Sequence, residues 1–261
     1  MPIIGFIGTG SMGGALARAA AKSGAEIWLA NRHRDKAERL AEEIGGRAVD
    51  NETAAARADW LFLGVKPHMM AGLIASLRPA LDARETPPTV VSMAAGTDLR
   101  RLRELLGERC PVIRIMPNIA VAVEEGVTLW TPGEGVTEKQ KAAFRELLGA
   151  SGLLSEVDEH LMDAASGETG CGTAYACLFM EAMADGAVAC GVPRKQAVAY
   201  AAQTLLGAAK LLLESGDHPG ALKDAVCSPG GSTIQGVRAL EKGAFRSAVM
   251  EAVIAAYEKK F

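Results

Sequence analysis

The chain has 261 residues, 49% of them hydrophobic and 23% charged, with a formal net charge of −3. That is the composition of a globular protein with room for one large domain or two modest ones. It argues against a nucleic-acid groove, which needs a concentrated basic face. No apolar run approaches the ~20 residues of a membrane helix.

In chain order, short apolar runs at residues 2–7, 26–30, 60–65, 89–92, 112–115 and 127–130 read as buried strands. Helix-period segments lie between them at 11–23, 36–44, 69–81 and 98–106, and a last one at 137–148 is opened by Thr137 and closed by Gly149. Strand alternating with helix predicts a doubly wound parallel sheet of α/β class over residues 1–155. The cluster Arg100, Arg101 and Arg103, followed by Glu104, reads as a solvated helix face within it. From residue 156 to 261 the strands stop. Helices are expected at 158–191, 193–215, 219–227 and 233–260, with an interruption at Gly243. Pro193, Gly216 and Pro219 punctuate their ends. Several are apolar on more than one face, as at 205–213, so this half is expected to bury surface against a second copy of the chain.

Five cysteines, Cys110, Cys171, Cys177, Cys190 and Cys227, are scattered, with none at C-x-x-C or metal-ligand spacing. A reduced, cytoplasmic protein without a metal site is expected. The N-terminus enters an apolar strand with no charged, cleavable leader pattern.

The first strand runs into Ile7-Gly8-Thr9-Gly10-Ser11-Met12-Gly13, the pattern G-x-G-x-x-G, and then into an alanine-rich helix. In that context Gly8 allows the tight turn, Gly10 lets a pyrophosphate approach the backbone, and Gly13 lets helix and strand pack closely. The pyrophosphate would lie at the helix N-terminus, where free N–H groups and the dipole favour negative charge. A Rossmann-type dinucleotide fold and hydride transfer follow as expectations. NAD sites carry a carboxylate after the second strand; here the residues are Asn31, Arg32, His33 and Arg34. Arg32 reads either as a fork for the 2′-phosphate of NADP, with Asn31 as a neutral donor, or as a surface arginine. NADP(H) is the expected cofactor, with NAD(H) as the lesser one. Gly64-Val65-Lys66-Pro67 and Ala94-Ala95-Gly96-Thr97 follow strands on the same edge and are either cofactor-covering loops or plain turns.

In the helical half, Ser228-Pro229-Gly230-Gly231-Ser232-Thr233 is a turn leading into a helix rich in hydroxyls. It reads equally as an anion cradle for a carboxylate or as N-terminal capping.

With these motifs the chain resembles the pyrroline-5-carboxylate reductases along its whole length. The resemblance rests on residues 5–12, Val65-Lys66-Pro67, Ala94-Ala95-Gly96, Arg114-Ile115-Met116-Pro117-Asn118, residues 203–210 and, most specifically, residues 228–233. It implies a Rossmann domain followed by a helical domain that interlocks with its mate in a homodimer, often built further into decamers. It implies NADPH-dependent reduction of 1-pyrroline-5-carboxylate to L-proline, the last step of proline biosynthesis. By the same resemblance, Val226 and the loop from Ser228 through Gly230, Gly231 and Ser232 bind the substrate. Thr233 reaches the imine nitrogen as the catalytic hydroxyl, Asn118 lies near the nicotinamide and substrate, and Asn51 contacts the adenosine side.

The chemistry agrees with what the chain lacks. His33, His68, His160 and His218 stand in unrelated contexts, and a protonated imine needs positioning beside a hydride donor more than a strong acid. The chain departs from the family at Glu168-Thr169-Gly170-Cys171-Gly172-Thr173-Ala174-Tyr175, where Leu-Ser-Gly-Ser-Gly-Pro-Ala-Tyr is usual. Losing the proline removes a kink-fixing constraint, and Glu168 brings a carboxylate, so another cyclic imine as substrate stays open. So do a small hydroxy acid and a cofactor-binding regulator without catalysis. Hydroxy-acid dehydrogenases rely on a lysine, and Lys195, Lys210 and Lys223 stand in no catalytic pattern. Cys171 has nothing basic beside it in sequence and reads as a small buried thiol.

Overall fold

The computed structural model describes residues 1–259. They form two compact units, residues 1–170 and residues 171–258.

The first unit is built on β1 (Ile3–Ile7), β2 (Glu26–Ala30), β3 (Arg47–Ala48), β4 (Trp60–Leu63), β5 (Thr89–Ser92), β6 (Val112–Pro117), β7 (Gly126–Pro132) and β8 (Gly152–Glu156). They make one sheet in the order β3-β2-β1-β4-β5-β6-β7-β8. Pairing is parallel except between β6 and β7, so β7 and β8 run against the rest. The expected strands are all present. β3 and β8 add to them: β3 is two residues long and β8 is mixed in character, too short and too irregular for a periodic signal.

Alternate side chains of the central strands feed two cores. Phe6, Trp60 and Phe62 face α1 (Ser11–Ala21), α2 (Arg34–Ile44) and α6 (Glu138–Leu148), with Leu16, Leu40 and Phe144 packed on them. Ile7, Leu61 and Leu63 face α3 (Asn51–Arg57), α4 (Pro67–Asp82) and α5 (Leu99–Leu106), with Ala54, Met70, Ile74 and Leu102. Burial on both faces is why these strands read as continuous apolar runs. Phe6 and Phe62 stack with ring centroids 4.5 Å apart. Thr137 caps α6 in a capping box with Gln140. α3 was not among the expected helices; seven residues following an Asp50 cap carry no full amphipathic period.

α7 (Glu159–Thr169) belongs to the first unit. The buried Arg114 of β6 holds it, with guanidinium nitrogens 3.1 Å from both Glu159 and Asp163. Glu159 also accepts the Leu99 N–H, the first amide of α5.

The second unit is α8 (Gly172–Ala189), α9 (Arg194–Ser215), α10 (Pro219–Ala225), α11 (Ser232–Lys242) and α12 (Phe245–Glu258). The expected span 158–191 is thus two helices, and the break at Gly170 and Cys171 persists without the proline. Cys171, expected to be buried, is exposed because it sits at that break. The expected end of the last helix, Lys260, lies outside the described residues. In α8 to α12 only Ala184, Ala197 and Ala201 are buried, while Leu178, Leu206 and Leu213 are more than half exposed. An apolar surface of this extent, in a unit with so little core, needs a partner to cover it.

Candidate active site

Register sets the expected cofactor segments. Ile7, Ala30, Leu63 and Ser92 lie side by side at the carboxyl ends of β1, β2, β4 and β5. The expected cofactor segments therefore leave one edge of the sheet together, the edge where ligands of such sheets lie.

The glycine loop is tied at both sides. The Gly8 N–H donates to the Ala30 carbonyl at 2.8 Å, and the Gly64 N–H donates to the Ile7 carbonyl at 2.8 Å. Gly8 has φ +96°, and a Cβ there would lie 2.5 Å from the Gly64 carbonyl oxygen. A Cβ on Gly13 would collide with the Gly8 carbonyl, whereas Gly10 has open space where its Cβ would be. Gly10 caps α1 with no side-chain hydrogen bond, so the positive end of the helix, with Ser11 and Met12, is left for an anion.

At the end of β2 the Asn31 amide donates to the Thr9 hydroxyl at 2.7 Å, and its carbonyl accepts the His33 N–H at 3.0 Å. Asn31 thus latches the glycine loop to β2, and both groups of its side chain are engaged within the chain. A cavity of about 310 Å³ opens beside the loop, lined by Thr9, Gly10, Ser11, Arg18, Lys36 and Arg39 among others. Arg18 pairs with Glu43, Arg34 with Glu38 and Arg39 with Asp35. Among the described residues, Arg32 and Lys36 have no acidic partner. Lys36 was not a candidate from sequence: its place in the first turn of α2 was visible, but which neighbouring cations are neutralised is decided only by folding.

Lys66 caps α4 and Pro67 is its first residue, while Val65 packs against the core. Ala94 is buried and Gly96 is exposed with φ +70°. Asn51 opens α3, after the Val49 N–H pairs with the Leu29 carbonyl. Asn118 follows β6 and is buried. It belongs to the first unit, unlike the other expected substrate residues.

Those others gather in the second unit. Val226 is exposed at the end of α10. The Gly231 N–H donates to the Ser228 carbonyl at 3.0 Å, and Gly230 takes φ +71°, which closes a tight turn. Gly231, not a hydroxyl residue, is the N-cap of α11, and no side chain caps it. The hydroxyls of Ser228, Ser232 and Thr233 form no hydrogen bond with the described residues and sit on exposed residues. They are not spent on capping. The turn, the uncapped helix end and three free hydroxyls form a cradle with the chemistry to hold a carboxylate.

Residues 159–260 match the family described as pyrroline-5-carboxylate reductase dimerisation, and residues 3–96 match that described as NADP oxidoreductase, coenzyme F420-dependent. The chain is 41% identical to a pyrroline-5-carboxylate reductase of Methanosarcina acetivorans and 40% identical to one of Escherichia coli, over 98% of this chain and 96% of each relative. Among solved structures it is similar to the pyrroline-5-carboxylate reductase of Coxiella burnetii, with TM-score 0.92 and 31% identity over 99% of this chain and 97% of that one. It is also similar to the Plasmodium falciparum pyrroline carboxylate reductase with NADP bound, with TM-score 0.85 and 28% identity over 99% and 98% of the two chains.

Proposed function

The chain belongs to the pyrroline-5-carboxylate reductase family, and we propose that it reduces 1-pyrroline-5-carboxylate to L-proline at the expense of NADPH. The observation that carries the substrate class is the uncapped start of α11 with the free hydroxyls of Ser228, Ser232 and Thr233. The glycine loop fits a dinucleotide: it is open at Gly10, close-packed at Gly13 and faces the positive end of α1. Arg32, just after β2, and Lys36, in the first turn of α2, have no acidic partner among the described residues and fit the 2′-phosphate of NADP. Asn31 supports that pocket through Thr9. Val65, Lys66, Pro67, Ala94, Ala95 and Gly96 wall the ribose and nicotinamide, and Asn51 borders the adenosine. When bound, NADPH supplies the hydride.

The remaining work falls to the protein's own groups. The Ser228–Ser232 turn orients the substrate by its carboxylate, with Val226 against its apolar side. The Thr233 hydroxyl holds the imine nitrogen in place as charge leaves it. No strong acid is needed, because the protonated imine already carries its proton. The protein is a homo-oligomer; we take its unit to be a homodimer, the covered surface being the exposed apolar faces of α8 and α9, with assembly into decamers as the next level. A cytoplasmic location fits five free thiols.

The test is NADPH oxidation with 1-pyrroline-5-carboxylate, other cyclic imines and 2-keto acids offered in parallel. Turnover fastest with 1-pyrroline-5-carboxylate supports the reading. Turnover only with another substrate, or NADPH binding without turnover, refutes it.

A further inference from the structure

Asn118 was expected to touch the substrate or nicotinamide. Its side chain has four hydrogen-bonding positions, two on the carbonyl oxygen and two on the amide. Three are already filled by the chain itself. Its Oδ1 accepts the Ala120 N–H at 3.2 Å and the Val127 N–H at 3.1 Å, and its Nδ2 donates to the Thr169 carbonyl at 3.0 Å. Its main-chain N–H donates to the Val127 carbonyl at 3.0 Å, and its own carbonyl accepts the Val121 N–H at 3.3 Å. The residue is 8% exposed. One side chain thus joins the end of β6, the 3-10 turn Ile119–Val123, the start of β7 and the last residue of α7. The Thr169 hydroxyl is buried and unpartnered, so that residue's polar tie to the sheet is its carbonyl bond to Asn118.

We propose that Asn118 is a positioning residue for the reduction: it holds the last turn of α7 and the start of β7 to the end of β6, on the edge where the cofactor loops emerge. This rests on the reaction proposed above. It separates Asn118 from Thr233, which acts on the substrate directly, and from Arg32 and Lys36, which act on the phosphate.

The carboxamide is suited to the junction because it accepts twice and donates once from one planar group. Aspartate in its place accepts both amides but presents a carboxylate oxygen to the Thr169 carbonyl. It becomes a substitute only when protonated, because the acid then donates as the amide did. Burial and the opposing carbonyl favour the neutral form while the two accepted amides favour the charged one, so recovery is expected on acidification.

The experiment compares wild type, N118A and N118D by kcat, by KM for 1-pyrroline-5-carboxylate, by NADPH affinity from fluorescence titration, and by amide hydrogen exchange in the last turn of α7. For N118A we expect kcat to fall about tenfold or more, the effect of a lost buried hydrogen bond. KM and NADPH affinity should move less than about threefold, and exchange in the last turn of α7 should quicken. N118D should behave like N118A at neutral pH. As pH falls, its kcat relative to wild type at the same pH should rise and its exchange should slow. A raised KM with kcat retained would make Asn118 a ligand instead and overturn the proposal. So would unchanged kcat and exchange, or an N118D ratio flat with pH. If N118A fails to fold, N118D across pH carries the test alone. If wild type does not reduce the substrate, the reaction reading fails by itself, while the exchange measurements still decide whether Asn118 clamps α7.

Discussion

Two cations beyond β2 are the proposed determinants of cofactor choice. Arg32 and Lys36 lack acidic partners among the described residues, while Arg18, Arg34 and Arg39 are each neutralised. Arg32→Ala is therefore expected to weaken NADPH by about 1.5–3 kcal/mol, the worth of a charge-assisted hydrogen bond, and to leave NADH nearly unchanged. Titrations with both cofactors check this, and equal losses would contradict it. Thr9→Val removes the acceptor of the Asn31 amide without touching a cation. It is expected to weaken both cofactors by a similar, smaller factor, because it loosens the glycine loop itself. Thr233→Ala is expected to lower kcat by about 10- to 100-fold with the fold intact, since one well-placed hydrogen-bonding group contributes ~1–3 kcal/mol to the transition state. An unchanged kcat would reduce Thr233 to a surface hydroxyl. Arg32 and Thr233 could be put forward from the sequence because each stands beside or inside a motif of fixed spacing. Lys36 was not, because its significance lies in its neighbours' ion pairs.

At the scale of elements, α3 shows what short segments conceal. It is seven residues long and is held at both ends by side chains. Asp50 accepts the Thr53 N–H at its start, and that hydrogen bond holds the Asp50 carboxyl below its ordinary pKa. Arg84 donates to the Ala55 and Ala58 carbonyls at its end, at 2.9 and 2.7 Å. A carboxyl whose folded pKa is depressed contributes stability above its unfolded pKa and loses it as pH falls through the folded value. Asp50→Ala is thus expected to cost about 1 kcal/mol at neutral pH and progressively less under acid, measured by denaturant melts across pH. Arg84→Ala leaves two carbonyls unpaired and is expected to cost about 1–3 kcal/mol at any pH where the protein folds. Long periodic helices such as α1, α4 and α6, and fully apolar strands such as β4, were legible because burial of one or both faces writes itself into the residue pattern. α3, β3 and β8 were not, because their places depend on caps and on neighbouring strands.

For the molecule as a whole, the exposed apolar surface of the second unit is the proposed assembly face. Leu178, Leu206 and Leu213 are 67%, 54% and 81% exposed, too apolar a set to face water in a stable single copy. Charging it, as in L178E combined with L206E, is expected to shift light-scattering mass toward the single chain and to lower thermal stability. Retention of the full oligomer would place the interface elsewhere.

The order of motifs along the chain was enough to announce a doubly wound nucleotide-binding sheet, a helical second half and the family, because glycine spacing and hydrophobic period are local properties. Three matters waited for the tertiary structure. The first is that the hydroxyls at the start of α11 are free, since only the fold shows that Gly231 is the cap. The second is that Asn31 and Asn118 spend their amides on the chain itself, Asn31 on Thr9 and Asn118 on Thr169. The third is that α7 packs with the sheet through Arg114. Each depends on which distant groups fill a side chain's hydrogen-bonding positions or balance its charge, and residue spacing along the chain does not record that.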